Sequence, residues 1–281
     1  MKKIKIITDS TVALAPGIAE ELDITIVPLS IMIDGTIYSD DQLSGEEFMK
    51  LMAEAHELPK TSQPPIGLFL ETYDQFADED TQVLSIHVAQ MLSGTPEAAR
   101  QAANMSKADV VAIDSGFVDQ ALGFQVVKAA QMAKEGATRE EILATLEEIK
   151  MHTTLFIGIS TLDNLVKGGR IGRTKGMISS FLNIKAVLEM TLAGSLDPVA
   201  KGRGTKTFVK WFNEMKETLV NGPTLAAIGI SHADNLAFAN QMATQLREMF
   251  PNIPVTVLHT ASAVATHTGP GAFALEFYTK A

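Results

Sequence analysis

Lys3-Ile4-Lys5-Ile6-Ile7-Thr8-Asp9-Ser10-Thr11 is the stretch that decides the fold class. Residues 3–7 form an isoleucine-rich run that predicts a strand, and the polar residues 8–11 predict a turn at its end. A short helix is predicted at 16–22, and a second apolar run follows at 24–33. The chain therefore begins as a strand, a turn, a helix and another strand.

The same alternation continues through the first half of the chain. Strands are predicted at 82–88 and 109–113, and helices at 97–105 and 118–135. This order indicates an α/β fold with a doubly wound, mainly parallel sheet, in which ligands lie beyond the C-terminal ends of the strands. We assign residues 1–153 to an N-terminal domain of this kind.

The second half of the chain is richer in strands and hairpins. A strand is predicted at 155–159, and a hairpin over 187–199 turns at Ala193-Gly194-Ser195. Residues 262–266 are also predicted to be extended. These features indicate a C-terminal α/β domain, residues 154–281, with a mixed or antiparallel sheet.

Composition excludes several classes of function. The 281 residues include 46% hydrophobic residues, enough for a substantial core, and no cysteine, so disulfides, thiolate metal sites and cysteine nucleophiles are excluded. A net charge of −10 argues against a nucleic-acid surface, which needs a basic face. No apolar run approaches the roughly 18 residues of a membrane span, and the N-terminus does not resemble a signal peptide, so a cytoplasmic location is expected.

Three polar stretches are candidates for one binding site. Two of them, Thr61-Ser62-Gln63-Pro64-Pro65 and Ser93-Gly94-Thr95-Pro96, combine hydroxyls with prolines at predicted helix starts, where unpaired N–H groups can bind anions. Ordinary helix capping, with Thr61 or Ser62 as the cap, is the alternative. The third is His267-Thr268-Gly269-Pro270-Gly271, whose alternative is a simple turn. Together these groups could satisfy a carboxylate while an apolar tunnel holds the rest of the ligand.

Motifs for nucleotide, metal and hydrolytic chemistry are missing from the sequence. There is no phosphate-binding P-loop and no dinucleotide fingerprint, and the six histidines form no metal-binding pattern, so no cofactor and no metal are predicted. A serine hydrolase with Ser93 as nucleophile and His267 as base is the enzymatic alternative. It lacks the glycine-flanked serine turn of many hydrolases, and no catalytic residue is therefore assigned.

Two basic clusters stand out in an acidic chain. One contains Arg170, Arg173 and Lys175, and the other Lys201, Arg203 and Lys206. They predict either capture of an anionic partner or phosphate, or two solvated loops.

With these stretches assembled, the chain resembles the DegV family of bacterial fatty-acid-binding proteins along nearly its full length. The stretches that carry the resemblance are Ile7-Thr8-Asp9-Ser10-Thr11, Val27-Pro28-Leu29, Thr61-Ser62-Gln63-Pro64, Leu92-Ser93-Gly94-Thr95, Ile113-Asp114-Ser115, Lys167-Gly168-Gly169-Arg170-Ile171, Lys201-Gly202-Arg203-Gly204 and His267-Thr268-Gly269-Pro270-Gly271. Their order and spacing together make the match specific.

The resemblance implies a long-chain fatty acid bound between the two domains. Its carboxylate would be held by Thr61 and Ser62 and by Ser93 and Gly94, with His267 and Thr268 close by. Pro65 and Pro96 depart from the residues common in the family, and so does Glu189 in a segment that is usually apolar or contains proline. These departures leave the preferred chain length and unsaturation open.

The resemblance also implies a role in phospholipid synthesis rather than an enzyme activity. Similar proteins present the fatty acid to a separate ATP-dependent kinase, related to dihydroxyacetone kinases, which makes an acyl phosphate. Arg170 and Arg203 would lie where the kinase or the new phosphate is met, and transient contact with a membrane is compatible with the role. A sensor of acyl chains that works without a kinase is the third hypothesis.

Overall fold

The computed structural model describes residues 2–78, 80–170 and 184–280. Its strands are β1 (Lys3–Asp9), β2 (Ile24–Val27), β3 (Ser30–Ile33), β4 (Thr36–Ser39), β5 (Lys60–Ser62), β6 (Thr81–His87), β7 (Asp109–Asp114), β8 (Thr153–Ile159), β9 (Lys185–Thr191), β10 (Ser195–Gly202), β11 (Leu225–Ala233), β12 (Val255–His259) and β13 (Ala272–Thr279). Its α-helices are α1 (Ile18–Glu21), α2 (Gly45–Glu54), α3 (Ile66–Asp74), α4 (Thr95–Met105), α5 (Asp119–Lys134), α6 (Arg139–Met151), α7 (Asp163–Lys167), α8 (Lys206–Asn221), α9 (Leu236–Met249) and α10 (Ser262–Thr268). Within the described ranges, no helix is both long and apolar enough to span a bilayer.

The first sheet is parallel, in the order β2-β1-β6-β7. Ile6 packs with residues of α5 and α6 on one face, and its neighbour Ile7 packs with residues of α3 and α4 on the other. Successive residues of a strand point to opposite faces, so burial of both explains the continuous apolar run. The predicted doubly wound parallel sheet is confirmed.

The second sheet is mixed, in the order β10-β9-β8-β13-β11-β12. Its neighbouring strands are antiparallel except for the parallel pair β11 and β12. The hairpin between β9 and β10 turns at residues 192–194, where Gly194 adopts a φ of +78°. The prediction of a mixed sheet is confirmed, whereas the division into domains 1–153 and 154–281 stays a prediction.

The two faces of the last strand, β13, pack in two different hydrophobic clusters. Phe273, Leu275 and Phe277 pack with residues of α8 and α9, while Ala272 and Ala274 belong to the cluster on the other face. That second cluster also contains residues of α2, β3 and the start of α5. The small side chains of β13 therefore face the junction between the two large sheets.

A three-stranded antiparallel sheet, in the order β4-β3-β5, adjoins this junction. The hairpin predicted at Asp34-Gly35 is confirmed by the pairing of β3 with β4. The prediction that Thr61 or Ser62 caps a helix is wrong, because both lie in β5 and α3 begins at Ile66 after Pro65. Consecutive prolines disfavour helical conformation in the residue before each, so the hydroxyls lie too early to reach the helix N–H groups.

The prediction that residues 262–266 are extended is also wrong. They begin helix α10, which buries Ala263, Ala265 and Thr266 and ends at Gly269 with a φ of +76°. A run this short has no decisive periodicity, and packing of its alanines against the junction decides in favour of a helix. His267 is consequently a helix residue rather than a loop residue.

Candidate functional site

A pocket that opens to solvent, with about 640 Å³ of empty space when its mouth is included, lies where the parallel sheet, the mixed sheet and the three-stranded sheet meet. Among the described residues its polar lining consists of Thr11, Thr61, Gln63, Ser93, Arg170, His267 and Thr268. Its apolar lining consists of Leu29, Val88, Leu92, Val118, Ile157, Leu165, Leu196, Ala263 and Val264. The cavity therefore offers a few polar groups within a mainly apolar wall, the arrangement typical of a small-molecule site.

His267 and Thr61 form the central polar contact of this cavity. The Nε2 atom of His267 lies 2.8 Å from the Thr61 hydroxyl, and the two share a hydrogen bond. Burial, with a smaller contribution from the positive charge of Arg170, lowers the pKa of His267 to about 4. The imidazole is therefore neutral near pH 7, with one ring nitrogen as donor and the other as acceptor.

The second ring nitrogen of His267 is available to pair with a ligand. Nδ1 is buried and has no hydrogen-bond partner within the described part of the chain. A Cβ on Gly168 would lie 2.3 Å from this atom, so the imidazole fits only because position 168 is glycine. A buried, unpaired ring nitrogen costs free energy unless a ligand pairs with it.

Ser93 and Gly94 contribute to the site in different ways. Ser93 lines the cavity, and its hydroxyl accepts a hydrogen bond from the Thr95 backbone N–H at 3.2 Å and shares another with the Thr95 hydroxyl at 2.8 Å. Gly94 is exposed and lies outside the lining, but a Cβ there would come within 2.1 Å of Gln63 Oε1. Gly94 thus gives the Gln63 side chain room at the cavity.

The two residues of β5 point in opposite directions. Thr61 lines the cavity, whereas Ser62 is exposed and outside its lining. Strand geometry requires this, because neighbouring side chains face opposite sides of a sheet. The structure brings together Thr61, Ser93, His267 and Thr268 of the predicted carboxylate residues.

The two predicted partner-contact arginines lie in different surroundings. Arg170 is half-buried at the cavity, where Nε donates to the Leu92 carbonyl at 3.1 Å and an Nη donates to the Gly168 carbonyl at 2.7 Å. Arg203 is exposed just beyond β10 and does not line the cavity. Arg173 and Lys175 of the first basic cluster lie outside the described residues.

A second, smaller pocket adjoins the first, with about 310 Å³ of empty space when its opening is included. The two share Val118, Ile157, Val264 and Thr268 in their linings. The second is closed in part by Leu155 and by the small β13 residues noted above. Apolar space therefore continues beyond the polar contact of Thr61 with His267.

Comparison with known proteins identifies the family. The family model described as "Uncharacterised protein, DegV family" matches residues 3–280. The chain belongs to the DegV family. A DegV domain-containing protein of Lactococcus lactis is 51% identical over 273 residues, covering 97% of this chain and 98% of the relative.

Solved DegV structures share the whole fold. The DegV protein of Bacillus subtilis, described as a fatty acid binding protein, superposes with a TM-score of 0.91 at 27% identity, covering 100% of both chains. A DegV family protein of Thermus thermophilus, described by its fatty acid binding, superposes with a TM-score of 0.87 at 27% identity, also covering 100% of both chains. The α/β fold expected from the resemblance to the DegV family is confirmed.

The site of this DegV chain does not have the geometry of a serine hydrolase. The Ser93 hydroxyl is bonded to Thr95, the His267 Nε2 is bonded to Thr61, and no described acid pairs with Nδ1. A nucleophile requires a base within hydrogen-bond reach and a third group that orients the base. The Ser93 and His267 alternative is not favoured.

A serine–histidine–aspartate chain does exist elsewhere, but it is closed to substrates. Ser85 Oγ lies 2.7 Å from His87 Nε2, and His87 Nδ1 lies 3.0 Å from Asp9 Oδ2. All three side chains are fully buried. Asp9 also accepts hydrogen bonds from the backbone N–H groups of Thr11 and Val88, so this chain of contacts fixes two residues of the cavity wall.

Two polar residues of the cavity were not assigned individual roles from the sequence. Thr11 and Gln63 line the cavity, and both lie inside stretches that carry the resemblance to the DegV family. Their side chains could have been singled out because each neighbours a predicted site or a strand end. The contact of Gln63 with Gly94 depends on tertiary structure and leaves no local signal.

Proposed function

We propose that this protein binds a long-chain fatty acid, with the carboxylate near Thr61, Ser93, His267 and Thr268 and the acyl chain in the two adjoining cavities. The observation that carries the proposal is the shared polar contact of Thr61 with His267 at a mainly apolar cavity. DegV relatives that match the whole fold are described as fatty-acid-binding, which supports the same ligand class. The ligand would lie between the proposed domains 1–153 and 154–281.

The chemistry of the wall suits a carboxylate better than an uncharged headgroup. Arg170 supplies a positive charge, and the Thr61 and Ser93 hydroxyls and one His267 ring nitrogen supply hydrogen-bonding groups. Burying an unpaired carboxylate costs several kcal/mol, so a site for one needs such donors together. Ser62 and Gly94, both outside the lining, act in this proposal by shaping β5 and the Gln63 position.

The proposed cellular role is presentation of the bound acid to an ATP-dependent kinase related to dihydroxyacetone kinases. The kinase would form an acyl phosphate for phospholipid synthesis in the cytoplasm, and this protein would contribute no catalytic residue. The resemblance to the DegV family supports this role, together with the position of Arg203, whose exposed side chain is accessible to a partner. Arg170, which lines the cavity, would lie beside the headgroup of the bound acid where the kinase approaches it.

Solvent extraction and mass spectrometry test the binding step. The purified protein is expected to release long-chain fatty acid, and delipidated protein is expected to take up added palmitate in equimolar amount. Failure in both assays would refute the proposal. Reconstitution with the kinase and ATP tests the second step, because acyl phosphate is expected only when both proteins and a fatty acid are present.

A further inference from the structure

The carboxyl group of Asp40 lies where three segments of the cavity wall meet. It is 5% exposed and sits in the 3-10 helix Asp40–Gln42 that follows β4. Ser10, just after β1, donates its hydroxyl to Oδ2 at 2.6 Å, and the backbone N–H of Ala263 in α10 donates to Oδ1 at 3.0 Å. The Asp40 N–H in turn donates to the carbonyl of Leu29 at 2.9 Å.

These contacts suit a charged carboxylate. The Ser10 oxygen already accepts the Leu29 N–H at 3.0 Å, so its own proton points to Asp40. Both oxygens of Asp40 therefore face donors. An asparagine at this position would turn an NH₂ group toward one of them. Facing Ala263, this group would oppose a second donor, and facing Ser10, it would require the hydroxyl to turn its own proton away.

The contact with Ala263 bears on the proposed headgroup site. Ala263 lines the cavity, and His267 follows it by four residues, so the two lie on one face of α10 one turn apart. A displacement of the start of α10 would move His267 relative to Thr61. Asp40 itself does not line the cavity, so it acts through the helix and not by touching a ligand.

We propose that the ionised carboxylate of Asp40 is a positioning residue that holds α10, and with it His267, in the geometry that binds the fatty-acid carboxylate. The inference rests on the proposed function for its ligand. It adds a dependence of binding on the charge of a residue outside the cavity.

The surroundings of Asp40 determine the pH range over which its carboxyl group ionises. Burial, together with the charges of Asp9 in β1 and Asp41 on the same element, raises the pKa of Asp40 to about 6, against the hydrogen bonds from Ser10 and Ala263. The titratable group of α10 is His267, whose pKa near 4 keeps it neutral in this range. Falling pH therefore protonates Asp40 and weakens its bonds, so binding is expected to weaken.

Folding stability follows the opposite trend. Because the pKa of Asp40 is higher in the folded than in the unfolded chain, its contribution to stability is complete below the unfolded value and is lost as pH rises toward about 6. Binding and stability thus respond to pH in opposite directions, which separates a positioning role from a purely structural one.

The test compares Asp40→Asn with Asp41→Asn, which removes a charge from the exposed neighbouring residue. Palmitate affinity of delipidated protein is measured between about pH 5 and about pH 7.5, where an aliphatic carboxyl is mainly ionised. Wild type is expected to lose about tenfold in affinity as pH falls, the loss expected when a charged hydrogen-bond acceptor is neutralised. Asp41→Asn is expected to show the same loss at slightly lower pH, because the charge of Asp41 raises the pKa of Asp40. Asp40→Asn is expected to bind about tenfold more weakly near neutral pH and to show a flatter profile. Wild-type affinity with an unchanged profile in Asp40→Asn would overturn the proposal.

A measurement without lipid separates this proposal from the proposed function. The amide resonance of Ala263 in NMR spectra is expected to titrate with Asp40 in wild type and Asp41→Asn, and to be displaced and lose that titration in Asp40→Asn. The His267 ring resonances are expected to shift in Asp40→Asn as well. Absence of an Ala263 titration in wild type, or His267 resonances that ignore Asp40→Asn, would refute the positioning role. If these responses occur while wild type binds no palmitate, the fatty-acid function fails and the positioning of His267 stands.

Discussion

His267 Nε2 lies 2.8 Å from Oγ1 of Thr61, although 206 positions separate the two residues in the chain. This contact joins the last helix to the edge strand of the three-stranded sheet. It brings a neutral imidazole and a hydroxyl together at the wall of an apolar cavity. The predictions below start from this pair and extend to the charges around it.

Thr61→Val is expected to weaken palmitate binding by about 1–3 kcal/mol, because it removes a hydroxyl while keeping nearly the same volume beside a buried ring nitrogen. Ser62→Ala is the matched control, since the neighbouring hydroxyl is exposed and outside the cavity. Calorimetric titration of delipidated protein measures both. Equal losses in the two variants would contradict the assignment of Thr61.

Ser93→Ala is expected to weaken binding by about 1–3 kcal/mol, because it removes a hydroxyl that can turn from Thr95 to the ligand carboxylate. Thr72→Ala provides a control, because that hydroxyl donates to the Leu68 carbonyl of its own helix and lies outside the cavity lining. Affinity and thermal unfolding are measured together. A loss of stability without a loss of affinity would assign Ser93 to the start of α4 instead.

Arg203→Ala is expected to leave palmitate binding unchanged and to reduce acyl phosphate formation with the kinase. The exposed side chain lies outside the cavity, so its loss affects a partner and not the ligand. Arg170→Ala is expected to weaken both palmitate binding and acyl phosphate formation, because Arg170 lines the cavity and donates a hydrogen bond to the Leu92 carbonyl. Comparing affinity with phosphorylation rate distinguishes them, and equal effects of the two substitutions on binding would refute this separation.

Glu276→Gln is expected to flatten the pH dependence of folding stability. Burial, and then the nearby charge of Asp119, raise the pKa of Glu276 well above its ordinary value. The folded chain keeps this proton while the unfolded chain loses it, so the contribution is complete below about pH 4 and falls as pH rises through the folded pKa. Urea unfolding from about pH 5 to about pH 8 measures the slope.

Glu141→Gln is the control for that experiment. The exposed Glu141 accepts hydrogen bonds from the N–H and hydroxyl of Thr138, which lower its pKa. Its contribution to stability is therefore present above the unfolded pKa and lost as pH falls. Identical pH slopes in wild type and Glu276→Gln would show that Glu276 does not carry the buried proton.

Much of the architecture could be predicted because it depends on local patterns. Adjacent Ile6 and Ile7 indicate a strand buried on both faces, and Asp34-Gly35 specifies a tight hairpin. The two wrong assignments, at Thr61 and at residues 262–266, concern short segments. There the outcome depends on paired prolines or on packing of small side chains, and local propensity is weak by comparison.

The site was less predictable than the fold for a physical reason. Thr61, Ser93 and His267 lie in motifs and could be proposed, but the alternation that turns Thr61 inward and Ser62 outward follows only once β5 is known to be a strand. The role of Asp40 was missed because both its donors, Ser10 and Ala263, are distant in sequence.

Large and small side chains alternate along β13, and this alternation makes the length of the preceding turn critical. Adding one residue between Gly269 and Gly271 would, if it shifted the register of β13 by one residue, exchange the row of Phe273, Leu275 and Phe277 with the row of Ala272 and Ala274. Bulky rings would then occupy the space left by alanine methyl groups, and voids would open under the two outer helices. The space available to an acyl chain therefore depends on the register of a single strand as much as on the size of any one side chain.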